Sequence, residues 1–166
     1  MQKKTRTVSP LELSITARTG VSYVALLNQQ VPRAAALAKS ALAELSIVLV
    51  GDAMMCRLHQ RFFNDAARTD VITFPLDTDA RGRAVSGELY LCVPQARRQA
   101  KLRGIPVEHE LLLYAVHGIL HLNGQDDLTA PGYQKMHKLE DQILGSLGIG
   151  VVFAAGLGGR LGGGAG

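Results

Sequence analysis

Leu111-Leu112-Leu113-Tyr114-Ala115-Val116-His117-Gly118-Ile119-Leu120-His121-Leu122-Asn123-Gly124-Gln125-Asp126-Asp127 is the stretch on which the rest of the chain turns. Its first half is apolar almost all round, so as a helix it has no face to give to water and belongs at the centre of a domain. The two histidines are spaced i and i+4, which places both imidazoles on one face, within reach of a single ion. Gly124 ends the helix, since glycine alone enters the left-handed turn without steric cost. That turn can swing Asp127 back toward the rings. Two imidazoles and one carboxylate, with a position left for water, is the donor set of a catalytic zinc site. Asp127 has a second possible role as N-cap of a following helix, and Asp126 competes for either role. Position 118 is glycine, so the glutamate base of the H-E-x-x-H peptidases is missing.

Working outward, the segments alternate. Leu11 to Ala17 switches between apolar and polar with a period of two and reads as a half-buried strand. Ser22 to Ala43, rich in alanine and leucine, reads as helix, interrupted or restarted at Pro32. Leu45 to Val50 is a short apolar run closed by Gly51, a buried strand, and Asp52 is placed to cap a helix through about Phe62. Val71 to Pro75 and Gly87 to Cys92 are two further strands around a polar loop. Pro94 suits the first turn of a helix closed by Gly104, and Pro106 or Val107 opens the central one. A last helix starts at Asp127 or Thr129 and carries Met136, Leu139, Ile143 and Leu147 on one stripe. The expected class is α+β, a small mixed four-stranded sheet packed against about five helices, with the metal site at the end of a central helix.

The chain has 166 residues, 47% apolar and 19% charged, which suits one folded domain and argues against disorder over residues 1–149. From 150 to 166 the glycine density is too high for helix or strand, and a flexible tail is expected there. No apolar run approaches the roughly 18 residues that span a bilayer, and no apolar core follows Met1 to Arg6, so no membrane partner and a cytoplasmic location are expected. Cys56 and Cys92 form no C-x-x-C pair and are read as reduced and buried. A net charge of +4 permits attraction to a polyanion. Arginines are locally dense at 57, 61 and 68, at 81 and 83, and at 97, 98 and 103; around a metal cleft they would hold a phosphate backbone, and otherwise they are solvated helix faces. Phe62, Phe63 and Tyr90 are read as core or cleft wall and His59 as a surface residue.

The order of motifs resembles the YbeY family of bacterial endoribonucleases over roughly Leu11 to Gly148. Its H-G-x-L-H-L-x-G-x-D-H is matched by His117, Gly118, Leu120, His121, Leu122, Gly124 and Asp126, with Asp127 standing where the family has a third histidine. Thr69-Asp70-Val71-Ile72-Thr73-Phe74-Pro75 looks like the family's T-D-V-L-S-F-P strand, and Gly87 to Cys92 like its G-D-I-x-I-C strand. Upstream, where the family has L-N-x-x-Y-R with an arginine implicated in catalysis, this chain has Leu58 to Phe63, with Phe63 in the arginine's place. Arg61 and Arg68 are the nearby guanidinium candidates. The resemblance implies a zinc-dependent endoribonuclease specific for single-stranded RNA, with one zinc ion held by His117, His121 and Asp127. It also implies action in ribosomal RNA maturation and ribosome quality control, with ribosomal RNA and the small ribosomal subunit as partners and no DNA. Asp70, Thr73 and Ser86 would line the cleft, and His137 is a lesser candidate for the third ligand. Two rivals stand beside this reading: a catalytically weakened RNA- or ribosome-binding homologue, and a metallohydrolase of another phosphoester or a peptide.

Overall fold

A computed structural model describes residues 9–65 and 69–149. The order is β1 (Glu12–Ala17), a 3₁₀ turn (Val21–Tyr23), α1 (Val24–Leu37), β2 (Glu44–Val50), α2 (Asp52–Phe63), β3 (Val71–Thr78), β4 (Ala84–Cys92), α3 (Val93–Arg103), α4 (Val107–Leu122) and α5 (Ala130–Ser146). The four strands form one mixed sheet in the order β1-β2-β4-β3, with β1, β2 and β4 parallel and β3 antiparallel to β4. This is the α+β class the sequence implies. Arg68 and the glycine-rich segment 150–166 lie outside the described residues.

Alternation along the strands divides the interior in two. Ile47, Leu49, Leu89 and Leu91 face the main core, which α4 fills, whereas Val50 and Cys92 pack with Met55 of α2 on the opposite face, flanked by Val48 and Tyr90. Twelve of the sixteen α4 residues are buried, as expected of a helix apolar on every side. It lies close against β4: a Cβ on Gly118 would stand 2.6 Å from Leu89, and one on Gly87 would stand 2.8 Å from Leu122. The helix therefore runs back along β4, which carries His121 toward the β3–β4 hairpin.

Several local expectations give way to tertiary structure. Pro32 lies inside α1 without dividing it, and the helix ends at Leu37, well before Ala43. Lys39 takes a left-handed conformation at φ 52°, and Ser40 N–H closes the turn on the Ala35 carbonyl at 3.0 Å. Asp52 is the first helical residue of α2 and not its cap; its carboxylate receives Arg98 at 2.8 and 3.0 Å. His59 is buried against Phe63, Phe62 and Phe63 are about half exposed, and Cys56 is only partly buried. No helix among the described residues is long and apolar enough to cross a membrane.

Candidate metal centre

His117 and His121 come from the last turns of α4, and Asp127 from the turn between α4 and α5. Gly124, at φ 93°, reverses the chain, and Gln125 N–H closes on the Leu120 carbonyl at 2.9 Å. Asp126 Oδ1 accepts from Leu128 N–H at 2.7 Å and so belongs to the turn. Thr129, not Asp127, caps α5, accepting from Gly132 N–H at 3.1 Å. With both competing roles filled, the Asp127 carboxylate turns inward. Its oxygens lie 3.5 Å from His117 Nε2 and 3.6 Å from His121 Nε2. The ligand atoms of these three residues fall within 4.8 Å of one another.

The tautomers follow from the outer partners. His121 Nδ1 lies 3.1 Å from the Gln125 carbonyl, which can only accept, so Nδ1 carries the hydrogen. His117 Nδ1 lies 2.5 Å from Glu140 Oε1, and the other oxygen of that carboxylate takes His137 Nδ1 at 2.9 Å. Burial alone would raise the Glu140 carboxyl, but the hydrogen bonds from His117 and His137 outweigh it and hold the group down at about 2. Glu140 is therefore an anion and His117 Nδ1 is its donor. Burial, reinforced by the neighbouring His117, lowers the pKa of His121 and favours its neutral ring. The two Nε2 atoms, each on the side of its ring away from the outer partner, face each other at 3.0 Å.

A hydrogen on one ring or a metal ion between the two accounts for so close an approach. Tetrahedral zinc with Zn–N near 2.05 Å would hold the nitrogens about 3.3 Å apart, close to what is seen. Asp127 Oδ1 adds a buried oxygen with no hydrogen-bond partner among the described residues. The donor set thus fits a divalent ion of borderline softness, and the Glu140–His117 pair is the outer support such sites use to fix ring orientation.

A family profile described as "Endoribonuclease YbeY" matches residues 12–148. The chain belongs to the YbeY family. Relatives named endoribonuclease YbeY include those of Acidothermus cellulolyticus, 39% identical over 62% of this chain and 70% of that protein, and of Rhodococcus opacus, 39% identical over 61% of this chain and 62% of that protein. The Thermobifida fusca YbeY is 37% identical over 62% of this chain and 71% of its own length. A Thermotoga maritima protein solved in solution superposes with a TM-score of 0.57 at 26% identity, covering 81% of this chain and 91% of its own.

The other singled-out residues have the following places in this YbeY fold. Arg61 lies on the exposed side of α2, its guanidinium 5.5 Å from the centre of the Phe62 ring, in a groove on the sheet face opposite α4. Three more of the clustered arginines are matched by carboxylates: Arg98 is bound to Asp52, Arg83 to Asp79, and Arg103 is buried with Glu110 at 3.2 Å. Asp70 is used at the start of β3, accepting from Val71 N–H at 2.8 Å. Ser86 lines a groove with Glu12 and Glu44 at the start of the parallel strands, and Thr73 is paired with Leu89 in the β3–β4 ladder. His137 reaches the centre through Glu140.

Sequence reasoning missed Glu140 altogether and read His137 only as a possible direct ligand, where the structure sets it against Glu140. Their signal was positional: both interrupt a stripe of Met136, Ile143, Leu144 and Leu147 that is otherwise apolar and buried. A charged residue in such a stripe requires a partner.

Proposed function

We propose that this chain is a metal-dependent endoribonuclease that cuts single-stranded RNA, and that it acts in the cytoplasm in ribosomal RNA maturation and ribosome quality control. Residues 1–149 would form its catalytic domain, with 150–166 a terminal extension. His117, His121 and Asp127 would hold one zinc ion. The observation that carries this reading is the convergence of His117 Nε2, His121 Nε2 and the Asp127 carboxylate, all within 4.8 Å of one another.

A divalent ion in that position supplies Lewis-acid stabilisation of charge on a phosphoryl oxygen and makes water more acidic. The chain's own part is preorganisation. Glu140 locks His117 with its Nε2 lone pair toward the centre, and the Gln125 carbonyl does the same for His121. Asp127 contributes one negative charge where the family motif has a neutral histidine. The donor set consequently neutralises more of the ion's charge, which favours retention and moderates the reactivity of water. The buried walls of α4 and α5 keep the rear of the site dry, so these electrostatic interactions are little screened.

The test is cleavage of a labelled single-stranded RNA by the full chain, with and without chelator, beside His117→Ala purified identically. Chelator-sensitive cleavage absent from the variant is the expected result. Equal cleavage by both proteins would identify a contaminant and sink the reading. RNA association with stoichiometric metal and no cleavage would favour the weakened homologue.

A further inference from the structure

Across the sheet from the metal centre, α2 and the strands β1, β2 and β4 enclose an open groove of about 570 Å³. Its floor is apolar, made by Val48, Met54, Leu58 and one side of Tyr90. Arg18 rises from the end of β1, and Arg57 and Arg61 are one turn apart on α2. All three are exposed, and none has a carboxylate within 4 Å among the described residues. This sets them apart from Arg83, Arg98 and Arg103, whose charges are already matched. The one acidic lining residue, Glu88, is engaged by the Tyr90 hydroxyl, which pushes that phenol up to about 12.

An aromatic series leads out of the groove. Tyr90 meets Phe74 at 5.9 Å between ring centres, and Phe74 meets Phe62 at 4.9 Å; Phe62 is 53% exposed with Arg61 against it. Phe74 lies on β3, an edge strand, so the series ends where the sheet does. Beyond that edge is the face that carries α4. Three unmatched guanidinium groups over an apolar floor, continued by a run of rings that ends at exposed Phe62, form the combination that tracks a single strand: cations for phosphates and a ring face for an unstacked base. An acidic peptide would use the cations and leave the aromatic run unexplained.

We infer that this groove binds the stretch of single-stranded RNA flanking the scissile bond, Arg18, Arg57 and Arg61 contacting successive phosphates while the strand passes over Phe62 and around β3 toward the metal centre. The inference rests on the endoribonuclease reading for its ligand, but on different residues. Its function is affinity and register, not bond breaking.

The experiment is fluorescence anisotropy with a labelled single-stranded RNA long enough to span both faces, titrated with the full chain across a series of KCl concentrations. Wild type is compared with Arg18→Ala/Arg57→Ala. Both side chains are exposed, so the variant keeps the wild-type urea midpoint, measured alongside. At about 0.7 per phosphate on a single strand, the double substitution lowers the slope of log Kd against log salt by about 1.4 and weakens binding. An unchanged slope in a folded variant overturns the inference. So does displacement of the RNA label by polyglutamate as efficient as by unlabelled RNA, which would assign the groove to an acidic protein. Cleavage is measured separately on the same proteins. Loss of slope without any wild-type cleavage would sink the enzymatic reading and leave the groove standing, whereas chelator-sensitive cleavage with an unchanged slope would do the reverse.

Discussion

Replacing Glu140 by glutamine tests the central geometric claim, because it keeps the shape of the side chain and removes what the two histidines require. The carboxylate is fully buried and accepts from His117 Nδ1 at 2.5 Å and from His137 Nδ1 at 2.9 Å. Glutamine offers one accepting oxygen and one donating amide, so it cannot accept from both rings. One histidine must change tautomer. If His117 does so, its Nε2 gains a hydrogen and stops being a ligand. Loss of such outer support costs roughly 10–100-fold in metal affinity, or about 1.4–2.7 kcal/mol. Stability of the metal-free protein falls as well. Glu140 is held from 4.5 down to about 2 in the folded chain, which corresponds to about 3 kcal/mol of stabilisation. The folded pKa is depressed, so this contribution is fully present above pH 4.5 and fades as pH falls toward 2. Urea unfolding in chelator should therefore separate wild type from Glu140→Gln at pH 7 and bring them together as the pH is lowered below 4.5. Competition with a chromogenic chelator reads the metal affinity directly. Wild-type zinc affinity in a folded Glu140→Gln protein would refute the view that Glu140 sets the His117 tautomer.

Gly132→Ala should weaken metal binding without touching a ligand, since a Cβ there would lie 2.4 Å from the Asp126 carbonyl oxygen and backbone must shift beside Asp127; unchanged zinc affinity would show that the turn has slack. Gly118→Ala places a Cβ 2.6 Å from buried Leu89, so about 1–3 kcal/mol of overpacking outweighs up to about 1 kcal/mol of helix propensity, and the urea midpoint should fall. Burial, aided by the nearby Asp52 carboxylate, pushes the Cys92 thiol up to about 12, so iodoacetamide at pH 8 should modify the native chain once, at the partly buried Cys56. Two modified thiols in folded protein would contradict that packing. Asp127→His combined with Phe63→Arg restores the family pattern at both departures, and a rise in chelator-sensitive RNA cleavage would identify them as causes of reduced turnover.

The clustering of His117, His121 and Asp127 was legible because its determinants are local. A helix apolar on every side must be central, i and i+4 histidines share a face, and a glycine stop turns the chain within a few residues. The ambiguity over Asp126 and Asp127 was local too, but its resolution was not. It depended on Thr129 capping α5 and on Gly132 leaving space for the Asp126 carbonyl. What escaped were the pairings between distant segments. Arg98 and Arg103 read as free positive charge until Asp52 and Glu110 are seen against them, 46 and 7 residues away. His59 read as a surface residue, yet its ring is buried against Phe63. Pro32 read as a break, although a fourteen-residue helix seated on the core tolerates one missing donor.

The same accounting separates the two faces of the sheet by purpose. Around α4 and α5 the identified polar contacts of His117, His121 and Glu140 lead inward to the metal centre, which fixes atoms and leaves little freedom for a flexible substrate. On the α2 face Arg18, Arg57 and Arg61 are extended, solvated and unmatched, poor for catalysis but suited to holding a chain in many local conformations. An endonuclease needs both properties, and they conflict within one site. A four-stranded sheet with β3 at its edge allows them to sit on opposite faces, joined by a strand of RNA turning past Phe62. On that arrangement the gain of a carboxylate at Asp127 acts on the chemical face, whereas Phe63, standing where the family has its arginine, ends α2 on the binding face. Reversing Asp127 alone should therefore raise kcat with little change in KM, whereas Phe63→Arg adds a guanidinium beside Arg61 and should also steepen the salt dependence of RNA affinity.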